Sequence, residues 1–358
     1  MAPLFCCKNM NRRAMLRVAI NGYGRIGRSV LRAIYENGFR DRLHVVAINE
    51  LSDIETISYL TRYDTTHGRF PKPVSVRGQN LVIGEDEIFC TNAKAPEDVD
   101  WAELNVDLVL ECSGVFSARE QVQRFIDAGA PRVLLSQPAD AEVDATIVYG
   151  FNQTKVSSDH TIVSAASCTT NCVIPVLDTL QDLAGVVHGT TQTIHSAMND
   201  QPVIDAYHTN DLRLTRSAIS SIIPVNTGLG KGIARLMPEL AGKIGCNAIR
   251  VPTLNVSVID MVIQTEKDVT VEQVNTALQV AASAKYANLL GYTQEAHASV
   301  DFNHDPRSVI VDGTQTQVVD GRMVKLLCWF DNEWGYANRM LDVACYWQKL
   351  LVDSAAQH

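Results

Sequence analysis

Apolar positions in the first half of the chain switch repeatedly between strand-like and helix-like spacing. Continuous apolar runs, typical of strands that are buried on both faces, occupy residues 16–20, 44–48, 107–112, 132–136, 145–150 and 161–163. Three- and four-residue spacing between these runs predicts helices at 29–35, 53–63 and 119–128. Shorter strands with turns at Gly78 and Gly84 are predicted over residues 74–89. Strands that alternate with helices in this way predict a doubly wound parallel sheet.

The second half of the chain follows a different pattern. A β-rich run ends at His195, and a long polar connection follows at 196–222. Alternating strands are then predicted at 248–251, 254–265, 309–312 and 323–330. A helix is predicted at 271–284, and an amphipathic helix at 336–351 ends the pattern. This order predicts a mostly antiparallel sheet with helices on one face, an α+β arrangement.

The change of pattern divides the chain into two predicted domains. The first covers residues 15–166. The second, which we expect to carry catalysis, covers residues 167–334. Residues 1–14 are predicted to be a disordered extension, with Met15 as the natural start.

Composition and charge exclude several classes of partner. The chain is 46% hydrophobic and 20% charged, and its net charge of −9 offers no general attraction to nucleic acid or to an anionic membrane. No apolar run approaches the roughly 18–20 residues that span a bilayer. The nine cysteines lack the spacing of metal ligands, so no metal site is expected. Their odd number predicts a reducing compartment, the cytoplasm.

Three glycines lie between the first predicted strand and the first predicted helix. In a dinucleotide-binding turn, Gly22 allows the tight turn, Gly24 lets the backbone approach a pyrophosphate, and Gly27 allows close helix packing. Glu50 ends the next strand, where an acid binds the adenosine ribose hydroxyls. Ser136 ends another strand and is expected to line the same crevice. Together these features predict a Rossmann-type dinucleotide-binding domain, although a tight turn without any ligand would show the same glycines.

The candidate chemistry centres on Cys168. Ser167 is a suitable helix N-cap, so Cys168 falls in the first turn of a helix, where the helix dipole favours a thiolate. His195 lies at a strand end 27 positions later and could hold the thiolate and then accept a proton. The alternative is a small buried cysteine, which is the interpretation we adopt for Cys172. The remaining histidines considered, which we interpret as surface or supporting residues without a matching partner, are His67, His208 and His304.

Several stretches resemble one enzyme superfamily in the order in which they occur. The stretches 21–28, 164–172, 250–253 and 331–336 are similar to the glyceraldehyde-3-phosphate dehydrogenase superfamily, and the resemblance runs from about Met15 to the C-terminal helix. Within the superfamily, 194–198, 203–208 and 299–306 resemble the D-erythrose-4-phosphate dehydrogenases more than the glycolytic enzymes.

The resemblance implies specific roles. It implies that Cys168 is the nucleophile and His195 its activator. The implied NAD-binding positions are Gly22, Gly24, Arg25, Ile26, Gly27, Glu50, Lys94, Ser136 and Asn332. The implied substrate-binding positions are Ser167, Thr169, Arg213, Thr227, Gly228 and Arg250. It also implies that the C-terminal helix, residues 335–352, completes the first domain. Finally, it implies a homotetramer in which the connection 196–222 lines a neighbouring subunit's cofactor site.

The activity implied is NAD-dependent oxidation of a phosphorylated aldose, D-erythrose 4-phosphate, to 4-phosphoerythronate, which in that family feeds pyridoxal phosphate synthesis. Phosphorylating glyceraldehyde-3-phosphate dehydrogenase is the alternative. A third hypothesis is a nucleotide-sensing scaffold that has kept the fold without the chemistry. Such a protein would be expected to have lost Cys168 or His195, and both residues are present.

The sequence departs from the superfamily pattern at three places. Met198 replaces a threonine that helps to hold substrate phosphate in the glycolytic enzymes, and a thioether cannot donate a hydrogen bond. Glu50 replaces an aspartate, and its charge should repel a 2′-phosphate and favour NAD over NADP. Leu214 stands where a second consecutive arginine is usual, and an apparent insertion at 209–210 makes the register ambiguous. Arg213 is therefore the first choice for the phosphate-binding arginine, and Arg216 the second.

Overall fold

The structure is a computed structural model that describes residues 15–208 and 211–355. The predicted disordered extension, residues 1–14, lies outside the described residues. Among the described residues, no helix combines the length and apolar character needed to cross a bilayer. The same residues contain no group of three or more side chains placed to hold a metal ion.

A nine-stranded sheet forms the N-terminal half of the described chain. The strands of this half are β1 (Leu16–Asn21), β2 (Leu43–Asn49), β3 (Tyr63–Asp64), β4 (Gly68–Arg69), β5 (Val74–Arg77), β6 (Asn80–Ile83), β7 (Asp86–Thr91), β8 (Leu108–Glu111), β9 (Val133–Leu135), β10 (Ala145–Thr146) and β11 (Ile162–Ser164). The sheet order is β10-β11-β9-β8-β1-β2-β7-β6-β5, and β3 pairs separately with β4. Strands β10 to β7 in that order are parallel, and only the β7-β6-β5 edge is antiparallel. The predicted doubly wound sheet is confirmed.

Helices cover both faces of this sheet. They are α1 (Arg25–Glu36), α2 (Ile54–Arg62) and α3 (Arg119–Asp127). Successive residues of a strand point to opposite faces, and in β1 this places Val18 and Ile20 in the apolar cluster beneath α1. Ala19 points the other way, into the cluster that contains Phe125 of α3. Because both faces are buried, these strands read in the sequence as continuous apolar runs.

A second sheet forms the C-terminal half. Its strands are β12 (Val186–His195), β13 (Ile223–Val225), β14 (Ile244–Arg250), β15 (Ser257–Thr265), β16 (Leu290–Thr293), β17 (Val309–Asp312), β18 (Gln317–Val319) and β19 (Met323–Phe330). The order is β13-β14-β12-β15-β19-β17-β16, with β18 paired to β19. Only β12 with β14 and β16 with β17 run parallel among the pairs described. The prediction of a mostly antiparallel sheet is confirmed.

Three helices accompany the second sheet, and a fourth ends the described chain. The three are α4 (Cys168–Ala184), α5 (Leu229–Leu236) and α6 (Val271–Ser283), and the last is α7 (Trp334–Ala355). One apolar cluster joins α4 and α6 to the alternate residues of β15, which are Ile259, Met261 and Ile263. Helix α4 is therefore fixed along its length by burial, and its first turn lies at the end of the sheet where β12 ends.

The C-terminal helix returns to the first sheet. Trp334 and Trp347 of α7 are buried in the same cluster as α1. The Trp347 indole N–H donates to the Ser157 carbonyl oxygen at 3.1 Å. The return places Asn332, just before α7, between the two sheets. The division of the chain at residue 166 stays a prediction.

Some predicted elements differ from those observed. The run 145–150 predicts a strand, but β10 covers only two residues because the Asn152 side chain bonds Val148 N and Thr146 O and turns the chain away. Helix α5 is not predicted from the sequence, because it has only eight residues and two of them, Gly230 and Gly232, have low helix propensity. In the connection 196–222, the described residues contain a single short 3₁₀ turn, Leu212–Thr215, as its polar composition predicts.

Substitution of Gly27 tests the packing of α1 on the glycine turn. A Cβ atom at Gly27 would lie 2.1 Å from the Gly22 carbonyl oxygen, so Gly27→Ala must displace the turn. We expect a loss of about 1–3 kcal/mol in the free energy of unfolding, measured by urea denaturation. Gly24→Ala is the control, because no atom lies within 4 Å of its Cβ position, and it should change stability by less than about 0.5 kcal/mol. Equal stability of the two variants would contradict this account.

Candidate active site

A strained turn between β11 and α4 presents Cys168. Ala166 has a φ of 59°, in the left-handed region that non-glycine residues seldom adopt. The Tyr336 hydroxyl donates to the Ala166 carbonyl oxygen at 3.0 Å and helps to hold this conformation. The Ser167 hydroxyl accepts from Thr170 N at 3.1 Å, which makes Ser167 the N-cap. Cys168 is therefore the first residue of α4, as the sequence predicts.

His195 lies next to Cys168 in space. Its Nε2 atom is 3.9 Å from Cys168 Sγ. Its Nδ1 atom is 2.8 Å from the Ser196 carbonyl oxygen, which can only accept, so Nδ1 carries the proton. The Nε2 lone pair is therefore available to the thiol.

Burial decides the charge state of this pair. It raises the pKa of the Cys168 thiol to about 11, and the backbone N–H groups of Thr169 and Cys168 lower it too little to compensate. Burial also lowers the pKa of His195. The chain by itself thus holds a neutral thiol beside a neutral imidazole at pH 7. Desolvation therefore opposes the thiolate that the helix N-terminus was expected to favour.

Two adjoining cavities form one cleft that reaches Cys168, called here the cofactor cleft. The first, of about 370 Å³, is lined among others by Cys168, His195 and Asn332. The second, of about 300 Å³, is lined among others by Glu50 and Lys94. Both are bounded by the same residues where they meet, which are Gly24, Cys112 and Ser113. The cleft thus runs from the end of β2 to the thiol along the carboxyl ends of parallel strands.

The glycine turn in the middle of this cleft fits a dinucleotide. Gly22 has a φ of 86°, and a Cβ there would lie 2.5 Å from Ser113 Cα. Gly24 faces open space, so an anion can approach its backbone. The first N–H groups of α1 have no acceptor within the helix and suit a pyrophosphate. Glu50 accepts from Tyr23 N at 2.7 Å, which holds its carboxylate beside the turn.

The other predicted cofactor residues fall at several points of the cleft. Ile26 and Ser136 line the first cavity. Asn332 Oδ1 accepts from the hydroxyls of Ser196 and Ser257 at 3.0 and 2.8 Å, which leaves its Nδ2 group to donate to a ligand. Arg25 differs from the others, because its guanidinium is already paired with carboxylates of the chain.

Arg25 belongs to a buried polar network that the sequence did not reveal. Its guanidinium pairs with both Asp64 and Glu333, and these two carboxylates take four of its five N–H donors. Burial acts to raise the pKa of the Glu333 carboxyl, but the hydrogen bonds from Arg25 and His67 lower it below its usual value. Glu333 itself lines the first cavity. The network therefore holds the glycine turn and the residue after Asn332 together.

Two histidines complete this network. The His67 side chain is fully buried, with Nε2 3.0 Å from Glu333 Oε2. His67 Nδ1 lies 3.1 Å from His304 Nδ1, and His304 Nε2 lies 3.1 Å from Glu36 Oε2. His67 and His304 thus have supporting partners, which the sequence did not identify. Their separation of 237 positions gave no signal in the sequence. His208 lies apart from them and accepts from Asp211 N at 3.2 Å.

A third cavity, called here the acyl cavity, adjoins Cys168 on the side of the second sheet. It has a volume of about 200 Å³. Its lining includes five of the predicted substrate residues, Ser167, Thr169, Thr227, Gly228 and Arg250, together with Met198. Gly228 is the N-cap position of α5. Hydroxyls, a helix start and a guanidinium therefore surround a space that contains the thiol.

The two candidate arginines for substrate phosphate lie elsewhere in the described chain. Arg213 sits on the exposed 3₁₀ turn and is outside the described lining of the acyl cavity. Arg216 pairs with Asp205 at 2.9 Å, and both side chains are exposed. Instead, Asp200 forms an ion pair with Arg250, which the sequence did not indicate.

Comparison with known protein families agrees with this geometry. Residues 16–119 match the family described as glyceraldehyde 3-phosphate dehydrogenase, NAD binding domain. Residues 167–332 match the family described as glyceraldehyde 3-phosphate dehydrogenase, C-terminal domain. The first match identifies NAD as the cofactor. The chain therefore belongs to the glyceraldehyde-3-phosphate dehydrogenase family and is an NAD-dependent oxidoreductase.

Proposed function

We propose that the protein oxidises D-erythrose 4-phosphate to 4-phosphoerythronate with NAD, through a hemithioacetal and a thioester on Cys168. The observation that carries this proposal is the 3.9 Å contact between Cys168 Sγ and His195 Nε2 where the cofactor cleft meets the acyl cavity. The choice of a four-carbon aldose rests on the resemblance of 194–198, 203–208 and 299–306 to erythrose-4-phosphate dehydrogenases. Met198, which lines both cavities, supports it, because a thioether alters the phosphate subsite of the glycolytic enzymes.

The first step forms a carbon–sulfur bond. Because thiol and imidazole are both neutral, Cys168 passes its proton to His195 Nε2 as Sγ attacks the aldehyde carbon. The backbone N–H groups at the start of α4 stabilise the developing oxyanion. The alkoxide then takes the proton back from His195, which leaves a hemithioacetal and a neutral imidazole.

The second step is the oxidation. NAD, when bound in the cleft, supplies the acceptor for the hydride. His195 Nε2 accepts the hydroxyl proton, and a thioester remains on Cys168. We assign Asn332 to hold the amide of the nicotinamide through Nδ2, since its Oδ1 atom is already bonded to two hydroxyls.

The exposed connection 196–222 supports a homotetramer. It carries several large apolar side chains that are well exposed in the single chain, which are Val203, Ile204, Leu212, Ile219 and Ile222. Ile204 is 74% exposed and Leu212 83%, more than side chains of this size usually are. We assign this surface to contacts between subunits. If light scattering at micromolar concentration gave the mass of one chain, the assignment would be rejected.

The site also bears on where the protein works. Seven cysteines in the described part of the chain are free thiols, and one of them is the proposed nucleophile. We assign the protein to the cytoplasm, where a reducing environment preserves such thiols. Detection of the protein only in an oxidising compartment would contradict this.

Phosphorylating glyceraldehyde-3-phosphate dehydrogenase is the second candidate function. It is favoured by the anion donors of the acyl cavity, since Thr227, Gly228 and Arg250 could hold inorganic phosphate beside the thioester. Steady-state rates on both aldehydes, with and without inorganic phosphate, separate the two functions.

The substrate comparison is the direct test of the proposal. We expect kcat/KM on D-erythrose 4-phosphate to exceed that on glyceraldehyde 3-phosphate by roughly tenfold, a difference that one altered subsite contact can produce. NADH formation on erythrose 4-phosphate should proceed without added phosphate. A preference for glyceraldehyde 3-phosphate with strict dependence on inorganic phosphate would favour the second candidate.

Replacement of the nucleophile tests the covalent step. Cys168→Ser should lower turnover by roughly 10³-fold or more, because a serine hydroxyl is a far weaker nucleophile beside the same imidazole. NAD affinity, measured by calorimetry, should stay within twofold. Cys246→Ser, at a half-buried thiol in β14, is the matched control and should keep parental turnover. Near-parental turnover of Cys168→Ser would overturn the mechanism.

The raised pKa of Cys168 predicts how its alkylation depends on pH. Only the thiolate reacts, and its fraction rises as pH approaches the pKa of about 11 from below. In the NAD-free protein, the iodoacetamide rate at Cys168 should therefore rise about tenfold per pH unit between roughly pH 6.5 and 9.5, without a plateau. Mass spectrometry identifies the site, and Cys168→Ser provides the blank. A plateau below pH 8 would show that the helix start outweighs burial.

A further inference from the structure

We propose that His67 and His304 are positioning residues for the cofactor: the two imidazoles share a third proton, and the positive charge that they hold behind the glycine turn favours the binding of NAD. This role concerns NAD binding alone, so it goes beyond the proposed function and is the same for either aldehyde. Hydrogen bonds, burial and the surrounding charges all place the proton on this histidine pair.

Each imidazole meets a carboxylate through its Nε2 atom. His67 Nε2 lies 3.0 Å from Glu333 Oε2, and His304 Nε2 lies 3.1 Å from Glu36 Oε2. A carboxylate oxygen can only accept a hydrogen bond. The Nε2 atom of each histidine therefore carries a proton and donates it to its carboxylate.

The inner nitrogens of the pair face each other. His67 Nδ1 lies 3.1 Å from His304 Nδ1, which is the separation of a hydrogen bond. Two neutral imidazoles with their protons on Nε2 would bring two lone pairs together at this separation, and these would repel. A hydrogen bond here needs one further proton between the Nδ1 atoms. The pair thus holds three protons on four ring nitrogens, which gives it one positive charge.

The aromatic surroundings favour a charged pair. The His304 ring stacks on the indole of Trp334, with the ring centroids 3.6 Å apart and the planes inclined by 21°. The His67 ring lies 5.6 Å from the same indole. A cation over the face of an indole is attracted by its π electrons. The stacking of His304 on Trp334 therefore stabilises an imidazolium more than a neutral ring.

The backbone holds the two histidines together. The Asn303 side-chain amide donates to the Thr66 carbonyl oxygen at 2.8 Å, which joins the two segments one residue before each histidine. His304 N donates to Asp331 Oδ2 at 2.8 Å, and His304 has a φ of 68° in the left-handed region. The contact between the rings is therefore set by bonds that do not depend on their protonation.

The fixed charges around the pair leave one negative charge to be balanced. Among the described residues, the charged groups that face it come from four segments, with Arg25, Arg28, Arg32 and Glu36 on α1, Asp64 on β3, Asp305 and Arg307 beside His304, and Asp331 and Glu333 just before α7. Five carboxylates thus surround the pair together with four guanidiniums. A third proton on the histidines balances them, and buried charges are stable only when they are paired in this way.

The pair lies directly behind the cofactor cleft. Glu333 lines the first cavity of the cleft and accepts from both Arg25 and His67. Arg25 is the first residue of α1, so its backbone N–H belongs to the helix start that suits a pyrophosphate. A positive charge on His67 therefore offsets the Glu333 carboxylate, and it makes the glycine turn a better site for an anion.

Loss of the third proton decides the sign of the pH dependence. Two N–H groups then remain for three contacts. The His67 side chain is fully buried, whereas that of His304 is 34% exposed, so the contact between His304 and Glu36 is the one that water can replace. The positive charge is lost as well, and the carboxylates around the pair then repel the pyrophosphate. NAD affinity is therefore full while the pair is protonated and falls as rising pH removes the proton.

The test compares His304→Asn with a matched surface variant. An asparagine amide can donate to His67 Nδ1 without any charge, and asparagine tolerates the left-handed backbone. His188→Asn makes the same change at an exposed histidine of β12. NAD is titrated into each protein by calorimetry at roughly pH 6 and pH 9. We expect the Kd of the parent and of His188→Asn to rise about threefold or more over this range, and that of His304→Asn to change by less than about twofold.

Nuclear magnetic resonance of isotope-labelled histidine locates the proton in the parent itself. At neutral pH, three of the four ring nitrogens of His67 and His304 should be protonated, with one proton signal coupled to both Nδ1 atoms. In His304→Asn, His67 should show one protonated and one bare nitrogen. Two neutral rings in the parent, or a Kd that depends on pH as strongly in His304→Asn as in the parent, would overturn the proposal. Neither measurement uses an aldehyde, so each outcome stands apart from the choice of substrate.

Discussion

The contact between Cys168 Sγ and His195 Nε2 depends on the packing that brings the start of α4 close to the end of β12. Helix α4 is packed along its length against the second sheet, and β12 is an inner strand of that sheet. The first residue of the helix and the last residue of the strand therefore occupy fixed positions, 3.9 Å apart at the side-chain atoms. The left-handed Ala166 and the Ser167 cap then turn the thiol toward the crevice. The chemistry of the chain follows from that geometry.

The same burial that positions the pair also suppresses its ionisation. Desolvation raises the pKa of the thiol and lowers that of the imidazole, so neither group is charged in the chain by itself. A neutral imidazole with a free Nε2 lone pair is the form that can accept a proton. The site is thus built to transfer protons when a substrate arrives, and the thiol stays protonated until then.

Charged residues beside the pair connect the two halves of the chain and set the character of the site. Arg25, Glu333 and His67 join the glycine turn to the residue after Asn332, on the cofactor side of the thiol. Asp200 and Arg250 form their own pair on the opposite side, where Arg250 lines the acyl cavity. The side chains of Glu333 and Arg250 are largely buried, and pairing offsets the cost of burying their charges.

The sequence by itself determined the layered fold and indicated the dinucleotide turn, the cap at Ser167 and the candidate pair Cys168 and His195, because each leaves a pattern of spacing or residue type along the chain. Continuous apolar runs indicate strands buried on both faces, and glycines between a strand and a helix indicate a tight turn. Tertiary structure alone decided the ionisation of Cys168, the partners of His67, Arg25 and His304, and the pairing of Asp200 with Arg250. These properties depend on burial and on distances between residues that are up to hundreds of positions apart. No local pattern encodes them, because desolvation and pairing are set by what the folded chain packs against each group.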